Sequence, residues 1–192
     1  MHHFYLPDAE SQGTALALTE GEAHHALHVV RVRRGERVAV LDGAGHEFIC
    51  EVQEADRHTV ALSVKQKISI APLPYQVVLA QAVTKGKSMD LIIQKATELG
   101  VHRIAPILSE RTVPQVEEES AMAKAEKWQA VAVAALKQCG AAWLPKVDAP
   151  VTPQVFLAAG ETFALSLIAT LQNDARHPRE HFENFRKEHQ RS

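Results

Sequence analysis

The 192-residue sequence has few cysteines, few aromatic residues and no excess of charge of one sign. Its two cysteines, Cys50 and Cys139, lie far apart without C-x-x-C spacing. This excludes a disulfide framework and a cysteine zinc site, and it suits a reducing cytoplasm. We expect both to be small core residues rather than nucleophiles. The net charge of −2 excludes indiscriminate binding to nucleic acid, so any RNA contact must come from a local basic patch.

Long hydrophobic runs are absent as well. No run is long enough to cross a bilayer, and the N-terminus lacks the pattern of a signal peptide, so we expect no membrane partner. With 46% hydrophobic and 23% charged residues, the composition is that of a folded globular protein. A chain of this length forms one large domain or two small ones.

The N-terminal part shows the periodicity of β-strands. Three segments alternate apolar and polar residues, namely 36–41, 46–52 and 58–64. Their apolar positions would face one side of a sheet, and turn residues separate the segments. The pattern predicts a β-meander that is part of a small closed barrel. Pro72-Leu-Pro74 then breaks the pattern, and we place a domain boundary there.

From residue 75 onward, strand and helix patterns alternate. Residues 75–83 and 101–108 predict buried strands, and Gly100 is positioned to end a helix between them. Five apolar residues recur at helical spacing in that helix: Met89, Ile92, Ile93, Ala96 and Leu99. Such a βαβ unit predicts two parallel strands in a helix-covered sheet.

Further elements are predicted downstream. Ser120 is a candidate cap for a long helix over residues 121–138, with Gly140 beyond its end. A short helix near residues 154–159 and a third buried strand over residues 163–171 follow. Three strands are few for a sheet of this type.

A basic turn lies between the first strand and the helix of the βαβ unit. Lys85 and Lys87 would lie at the C-terminal edge of the sheet, where open α/β folds bind ligands, although surface lysines are usually only solvated. Gly86-Lys87-Ser88 is similar to the end of a P-loop. That motif requires a glycine where the chain has Gln81, so we reject it.

Two clusters in the N-terminal part have alternative interpretations. The arginines of segment 31–37 would either grip phosphates or form a solvated hairpin with a partial ion pair to Glu36. His24 and His28 have a spacing that binds zinc on a helix. Because no third ligand lies at a suitable distance, we favour a solvated or RNA-facing helix without metal.

Gln94 and Glu98 lie one helical turn apart and are expected to hydrogen-bond to each other or to Arg111. Glu98 is a conceivable catalytic base, although a role in orienting a loop is more common for such residues. Arg111 would follow the second strand in a loop that faces the same site.

Three motifs in this half carry a family resemblance: Lys85-Gly-Lys-Ser-Met-Asp90, Gln94-Lys-Ala-Thr-Glu-Leu-Gly-Val101 and Ser109-Glu-Arg-Thr112. In order and spacing they resemble the ribosomal RNA small subunit methyltransferase E family. Shorter matches occur from His3-Phe-Tyr5 to Gln138-Cys-Gly140. The resemblance implies a SPOUT (trefoil-knot) enzyme that methylates N3 of a uridine in 16S rRNA with S-adenosyl-L-methionine, as a homodimer and without metal.

The resemblance also implies an α/β fold with two domains. Residues 1–72 would form a PUA-like β-barrel that binds rRNA, and residues 75–192 would form the α/β SPOUT domain. The implied RNA-binding residues are Arg31, Arg33, Arg34, Lys85 and Lys87. Arg111 and Glu98 are the catalytic candidates, and Thr170 and Leu171 would contact the cofactor.

Two departures from the family pattern qualify the expected activity. Ala134 and Ala141 stand where members usually have a glutamate and an arginine. The family's G-P-E-G-G loop and L-G-x-R-x-L-R-x-E-T-A segment have no match in residues 172–192. We therefore expect the sequence to be part of a longer enzyme, with an unpaired sheet edge and little activity by itself. A non-catalytic RNA-binding module is the alternative.

Overall fold

A computed structural model describes residues 1–7, 13–109, 118–170, 172 and 175–189 of the chain. These residues form two compact units, Met1–Phe156 and Leu157–Ser192. The first unit contains a curled β-sheet followed by an α/β layer, which confirms the predicted fold class. None of the helices in the described ranges is long and apolar enough to cross a membrane.

The curled sheet has five strands in the order β1-β3-β4-β5-β2. Their bounds are β1 His3–Tyr5, β2 Ala15–Leu18, β3 Arg37–Leu41, β4 His46–Ala55 and β5 Val60–Ser69. The last three are the predicted meander, and their inward residues share one buried core with the helical segment that follows β2. That segment comprises α1 (Glu20–His24) and a π-helix (His25–Val30). No pairing joins β1 to β2 in the described residues, so helical side chains complete the core where a closed barrel would have a strand pair.

The turn between β3 and β4 joins the curled sheet to the α/β layer. Asp42 is buried, and its Oδ1 accepts hydrogen bonds from the amides of Ala44 (2.8 Å) and His46 (3.0 Å). Gly45 has φ 98° and lies against Trp143 of the α/β layer, whose indole nitrogen donates to the carbonyl of Ile70 at 2.9 Å. A residue with a Cβ would not fit there, because the Cβ would lie 2.4 Å from the Trp143 ring.

The α/β layer contains a three-stranded parallel sheet in the order β6-β7-β8, covered by two helices. Its elements are β6 Val78–Ala82, α2 Ser88–Glu98, β7 Arg103–Ile107, α3 Glu118–Cys139 and β8 Lys146–Val147. The parallel pairing of β6 with β7 around α2 confirms the predicted βαβ unit. Met89 and Ile93 of α2 pack with Ile104 of β7 and Trp128 of α3 in one core.

The end of α2 differs from the prediction in one residue. Gly100 has φ 78° and ends the helix as expected, with the amides of Gly100 and Val101 bonded to the carbonyls of Thr97 and Ala96. Leu99, which we predicted on the apolar face, is 83% exposed. Thr97 is buried instead, because its hydroxyl donates to the carbonyl of Ile93 at 2.8 Å and so satisfies its polar group.

Two predictions for α3 need correction. The helix begins at Glu118, so Ser120 lies inside it and is not its cap. Cys139, predicted in the core, is exposed at the last helical position, where its thiol donates to the carbonyl of Leu136 at 3.7 Å. The expected end is correct, since Gly140 follows with φ 73°.

The predicted third strand over residues 163–171 is wrong for its described part. Residues 163–170 form no strand, and nearly all are exposed, including Ile168 at 90%. The third position in the parallel sheet is held by β8. The side chain of Gln129 in α3 anchors this strand, because it accepts from the amide of Val147 (2.9 Å) and donates to the carbonyl of Pro145 (3.0 Å). A strand needs partners for its backbone groups, and hydrophobicity alone did not supply them.

Two further helices lie near the C-terminal end of the described residues: α4 Pro153–Ala158, close to the predicted short helix, and α5 Pro178–His189. In α5 the rings of Phe185 and His189 stack with centroids 4.2 Å apart, and Phe182 is 55% exposed. Within the described sheet, the order β6-β7-β8 makes β6 and β8 the two edge strands.

Gly45→Ala is expected to destabilise the protein more than Gly35→Ala. Both glycines have positive φ, 98° and 83°, but nothing lies within 4 Å of a Cβ at residue 35. The two variants therefore share the backbone strain, and only Gly45→Ala displaces Trp143. We expect an additional loss of about 1–3 kcal/mol, as for overpacking of a core, in urea unfolding. Equal losses would contradict this account of the turn.

Candidate functional site: two basic surfaces

The basic turn of the α/β layer lies at the C-terminal edge of the parallel sheet. β6 ends at Ala82, and the amide of Val83 still donates to the carbonyl of Ile107 at 2.9 Å. The chain then turns through Gly86, with φ 64°, into α2. Lys85 and Lys87 are both exposed on this turn, and neither has a carboxylate partner in the described part of the chain. Their charges are therefore available to an anionic ligand.

One buried hydroxyl adjoins the lysines. The Oγ1 atom of Thr84 is shielded from solvent and has no hydrogen-bond partner among the described residues. Buried hydroxyl groups nearly always have a partner, so this edge offers a polar atom that a ligand or a water molecule can satisfy. Sequence reasoning did not identify Thr84, because a threonine at the end of a strand carries no distinctive signal.

Glu98 lies at the other end of α2. The helix has 11 residues, so about 15 Å along its axis separates Glu98 from the basic turn. Its carboxylate accepts hydrogen bonds from Gln94 Nε2 at 3.0 Å, as predicted, and from Lys95 Nζ at 2.8 Å. The hydrogen bond and charge of Lys95, with help from Gln94, hold the pKa of Glu98 below its ordinary value. A carboxylate held in its ionised form by such partners is a weaker base.

The other residues predicted for catalysis or cofactor binding stay predictions. Arg111 and Leu171 lie outside the described residues. Thr170 belongs to the second compact unit, where it is exposed and its hydroxyl accepts from the amide of Gln172 at 3.2 Å. Its neighbours in residues 166–170 are all exposed as well.

The barrel arginines form a second basic surface. Arg31, Arg33 and Arg34 are exposed on the loop between the π-helix and β3, and none of them forms an ion pair within the described ranges. The alternative of an ion pair to Glu36 is not found among the described residues, and the Glu36 carboxylate instead accepts from the amide of Arg33 at 3.0 Å. The loop is thereby held in shape while the guanidinium groups stay unpaired.

The structure does not bring the two basic surfaces together. The arginine loop lies at the start of β3, where the amide of Gly35 donates to the carbonyl of Val52. The β3–β4 turn, which contacts the α/β layer, lies about 20 Å away along β4. Lys85 and Lys87 lie at the edge of the parallel sheet opposite to the edge that contacts this turn. An RNA that contacts both surfaces therefore has to span the distance between them.

A cavity of about 450 Å³ opens at the end of the curled sheet where the arginine loop also lies. It lies between the start of α1, the exposed side of the helical segment and the β4–β5 turn. Its lining residues are Thr19, Glu20, His24, His28, Arg57 and His58. Sequence reasoning singled out His24 and His28 but missed the others, because they come from three separate elements.

Two other candidate features, a metal site and a reactive thiol, find no support among the described residues. No cluster of three or more His, Cys, Asp or Glu side chains suited to a metal ion occurs among the residues that the structure describes. Cys50 is buried in the barrel core as predicted, and burial raises the pKa of its thiol to about 11. A thiol with this pKa remains protonated at neutral pH and is unreactive.

The chain matches two family models. Residues 71–192 match an RNA methyltransferase domain, and residues 18–65 match the PUA domain of RNA methyltransferases. These matches cover both layers of the first compact unit. They confirm the resemblance that the motifs around Lys85 and Gln94 indicated.

Similar proteins of known name support the same assignment. The ribosomal RNA small subunit methyltransferase E of Aquifex aeolicus is 35% identical over 139 residues, which are 72% of this chain and 58% of the relative. The protein of the same name from Synechocystis is 32% identical over 82% of this chain and 52% of its own length. The chain thus spans little more than half the length of these relatives. A Neisseria gonorrhoeae protein of this name, solved bound to S-adenosylmethionine, aligns with a TM-score of 0.77 and 28% identity over 93% of this chain and 76% of its own.

Lys95→Met is expected to raise the pKa of Glu98, because the substitution removes the hydrogen bond and charge that lower it most. Gln94→Met should raise the pKa less. Since the folded-state pKa is lowered, the stabilisation by this carboxylate is present above the unfolded-state pKa and is lost as the pH falls through the folded value. Carbon-13 NMR titration of the Glu98 carboxyl measures the shift. An unchanged pKa in Lys95→Met would refute the assignment.

Proposed function

Because the chain belongs to the family of RNA methyltransferase domains, we propose that it acts in the S-adenosylmethionine-dependent methylation of small-subunit ribosomal RNA. The observation that carries the proposal is the position of the basic turn. The segment from Lys85 to Val101, which bears the family resemblance, folds into the strand, turn and helix that place Lys85 and Lys87 at the C-terminal edge of a parallel sheet. This edge is where α/β folds bind their ligands.

The barrel supplies the contacts that hold the RNA in this proposal. Three exposed arginines without carboxylate partners in the described structure suit phosphate groups, which they bind in a bidentate manner. Phosphate contacts position a protein on folded RNA without reading its sequence. Arg31, Arg33 and Arg34 therefore orient the substrate, while the lysines of the α/β layer contact the RNA near the reacting base.

The finer features of the proposal are N3 of a uridine in 16S rRNA as the methyl acceptor, a SPOUT domain with a trefoil knot, a homodimer as the active form and the cytoplasm as the location. They rest on the family resemblance.

N3 of neutral uracil carries a proton that has to leave before or during methyl transfer. Cationic groups that stabilise the uracil anion promote this loss, and Lys85 and Lys87 are suitably charged. The target base has to be unpaired or flipped out of a helix.

A non-catalytic RNA-binding module is the second candidate. The observation in its favour is the exposure of residues 166–170, which leaves no enclosed cofactor pocket in that part of the segment. The arginine loop, in contrast, is already held in shape by Glu36. A module of this kind would bind rRNA with the same affinity in the presence and absence of S-adenosylmethionine.

Methyl transfer distinguishes the two candidates. We expect the protein, in the form that its host produces, to transfer tritium from methyl-labelled S-adenosylmethionine to small ribosomal subunits that lack the modification. Mass spectrometry of the digested rRNA then identifies the modified atom. Salt-dependent binding of the subunits without any transfer would reject the enzyme and support the binding module.

Arg33→Ala combined with Arg34→Ala should weaken RNA binding and reduce its dependence on salt. Each lost phosphate contact lowers the slope of log K against log salt concentration by about 1, so we expect a decrease of about 2. Lys65→Ala is the matched control, because Lys65 is a barrel cation already paired with Glu51 at 3.5 Å. Fluorescence anisotropy at several salt concentrations measures both slopes. A decrease for the control as large as that for the arginines would show a non-specific charge effect.

A further inference from the structure

We propose that the cavity at the arginine-loop end of the curled sheet binds one unpaired nucleotide of the substrate RNA. This inference rests on the proposed function, and it deepens that function by assigning a nucleotide site at one end of the curled sheet. The cavity has a volume of about 450 Å³, which exceeds the space that a single anion needs and lies in the range of small-molecule sites. It is open to solvent, and all six lining residues are exposed.

The lining offers a complementary group for each part of a nucleotide. His24 and His28 present two aromatic rings whose centroids are 4.7 Å apart, and histidine is among the side chains on which unpaired bases stack. Arg57 has no carboxylate partner in the part of the chain that the structure describes, and it suits a phosphate. Glu20 accepts hydrogen bonds, as a base amino group or a ribose hydroxyl requires. A site for phosphate alone would not include a carboxylate.

The backbone around the cavity is strained in a way that functional sites often are. Glu20 has φ 47° and Arg31 has φ 62°, and they are the two non-glycine residues with positive φ in the described ranges. They bracket the helical segment, which changes from α-helix to π-helix at His25. π-Helical turns are uncommon and occur frequently at functional sites. This one carries His28 close to His24 and ends at an arginine of the RNA-binding loop.

Position in the fold favours RNA as the source of the nucleotide. The end of β2, the start of β3 and the β4–β5 turn all lie at one end of the curled sheet, because Leu18 and Ala55 both pair with Val60 and Gly35 bonds to Val52. Arg33, Arg34 and the cavity therefore share this end. An RNA whose phosphates contact the arginines passes the cavity and can insert an unpaired base.

The test uses two hairpins of small-subunit rRNA that differ by one bulged nucleotide. We expect His24→Ala combined with His28→Ala to weaken binding of the bulged hairpin by at least about fivefold, which corresponds to one lost base stack, and to leave the perfect hairpin within about twofold. His102→Ala is the matched control, because His102 is an exposed histidine of the α/β layer outside the cavity. Anisotropy at one fixed salt concentration measures the affinities.

A second variant guards against loss of folding in the histidine pair. Glu20→Met keeps the length of the side chain but removes its acceptor oxygens, so it should also weaken only the bulged hairpin. Circular dichroism checks that each variant is folded. Equal losses for both hairpins, or no loss for either, would overturn the nucleotide site. Either result with methyl transfer intact leaves the proposed function standing. Failure of the original protein to bind either hairpin would also overturn the site. If the variants lose affinity only for the bulged hairpin but the protein transfers no methyl group, the nucleotide site stands and only the enzymatic function is overturned.

Discussion

The β3–β4 turn sets the position of the barrel against the α/β layer, and the rest of the first unit depends on it. Buried Asp42 shapes the turn through two backbone amides and through its contact with Nδ1 of His46 at 2.6 Å. Gly45 then permits an approach to Trp143 that no other residue would allow. An ion pair between Glu22 of α1 and Lys137 of α3 adds a second connection at 2.5 Å. The shaped backbone turn and this ion pair thus join the two layers.

This arrangement has a consequence for RNA recognition. The turn occupies one end of β4, so the arginine loop and the cavity lie at the other end of the curled sheet, away from the lysines of the α/β layer. In the proposed function, the barrel therefore contacts RNA at a distance from the reacting base. The proposed recognition by phosphates and by one unpaired nucleotide suits a target whose own base has to leave its helix.

Predictions from the sequence succeeded where a periodic pattern coincided with a local stop signal. The βαβ unit and the meander were found because alternation and helical spacing report directly which side of an element is buried. Gly100 and Gly140 marked helix ends, because a left-handed residue there favours glycine. The predicted strand is wrong over residues 163–170, because an apolar run indicates that burial is favourable but not which strand accepts its hydrogen bonds.

The sequence by itself determined the family, the order of the elements and the presence of basic residues on two loops. Only the tertiary structure decided that β8 pairs with β7, that Glu98 lies about 15 Å from Lys87, and that Arg57 and His58 meet His24 around one cavity. The physical reason is the range of the interactions. Helical spacing, alternation and caps act over a few residues and are readable in the chain, whereas a cavity is made by residues whose proximity depends on how distant elements pack.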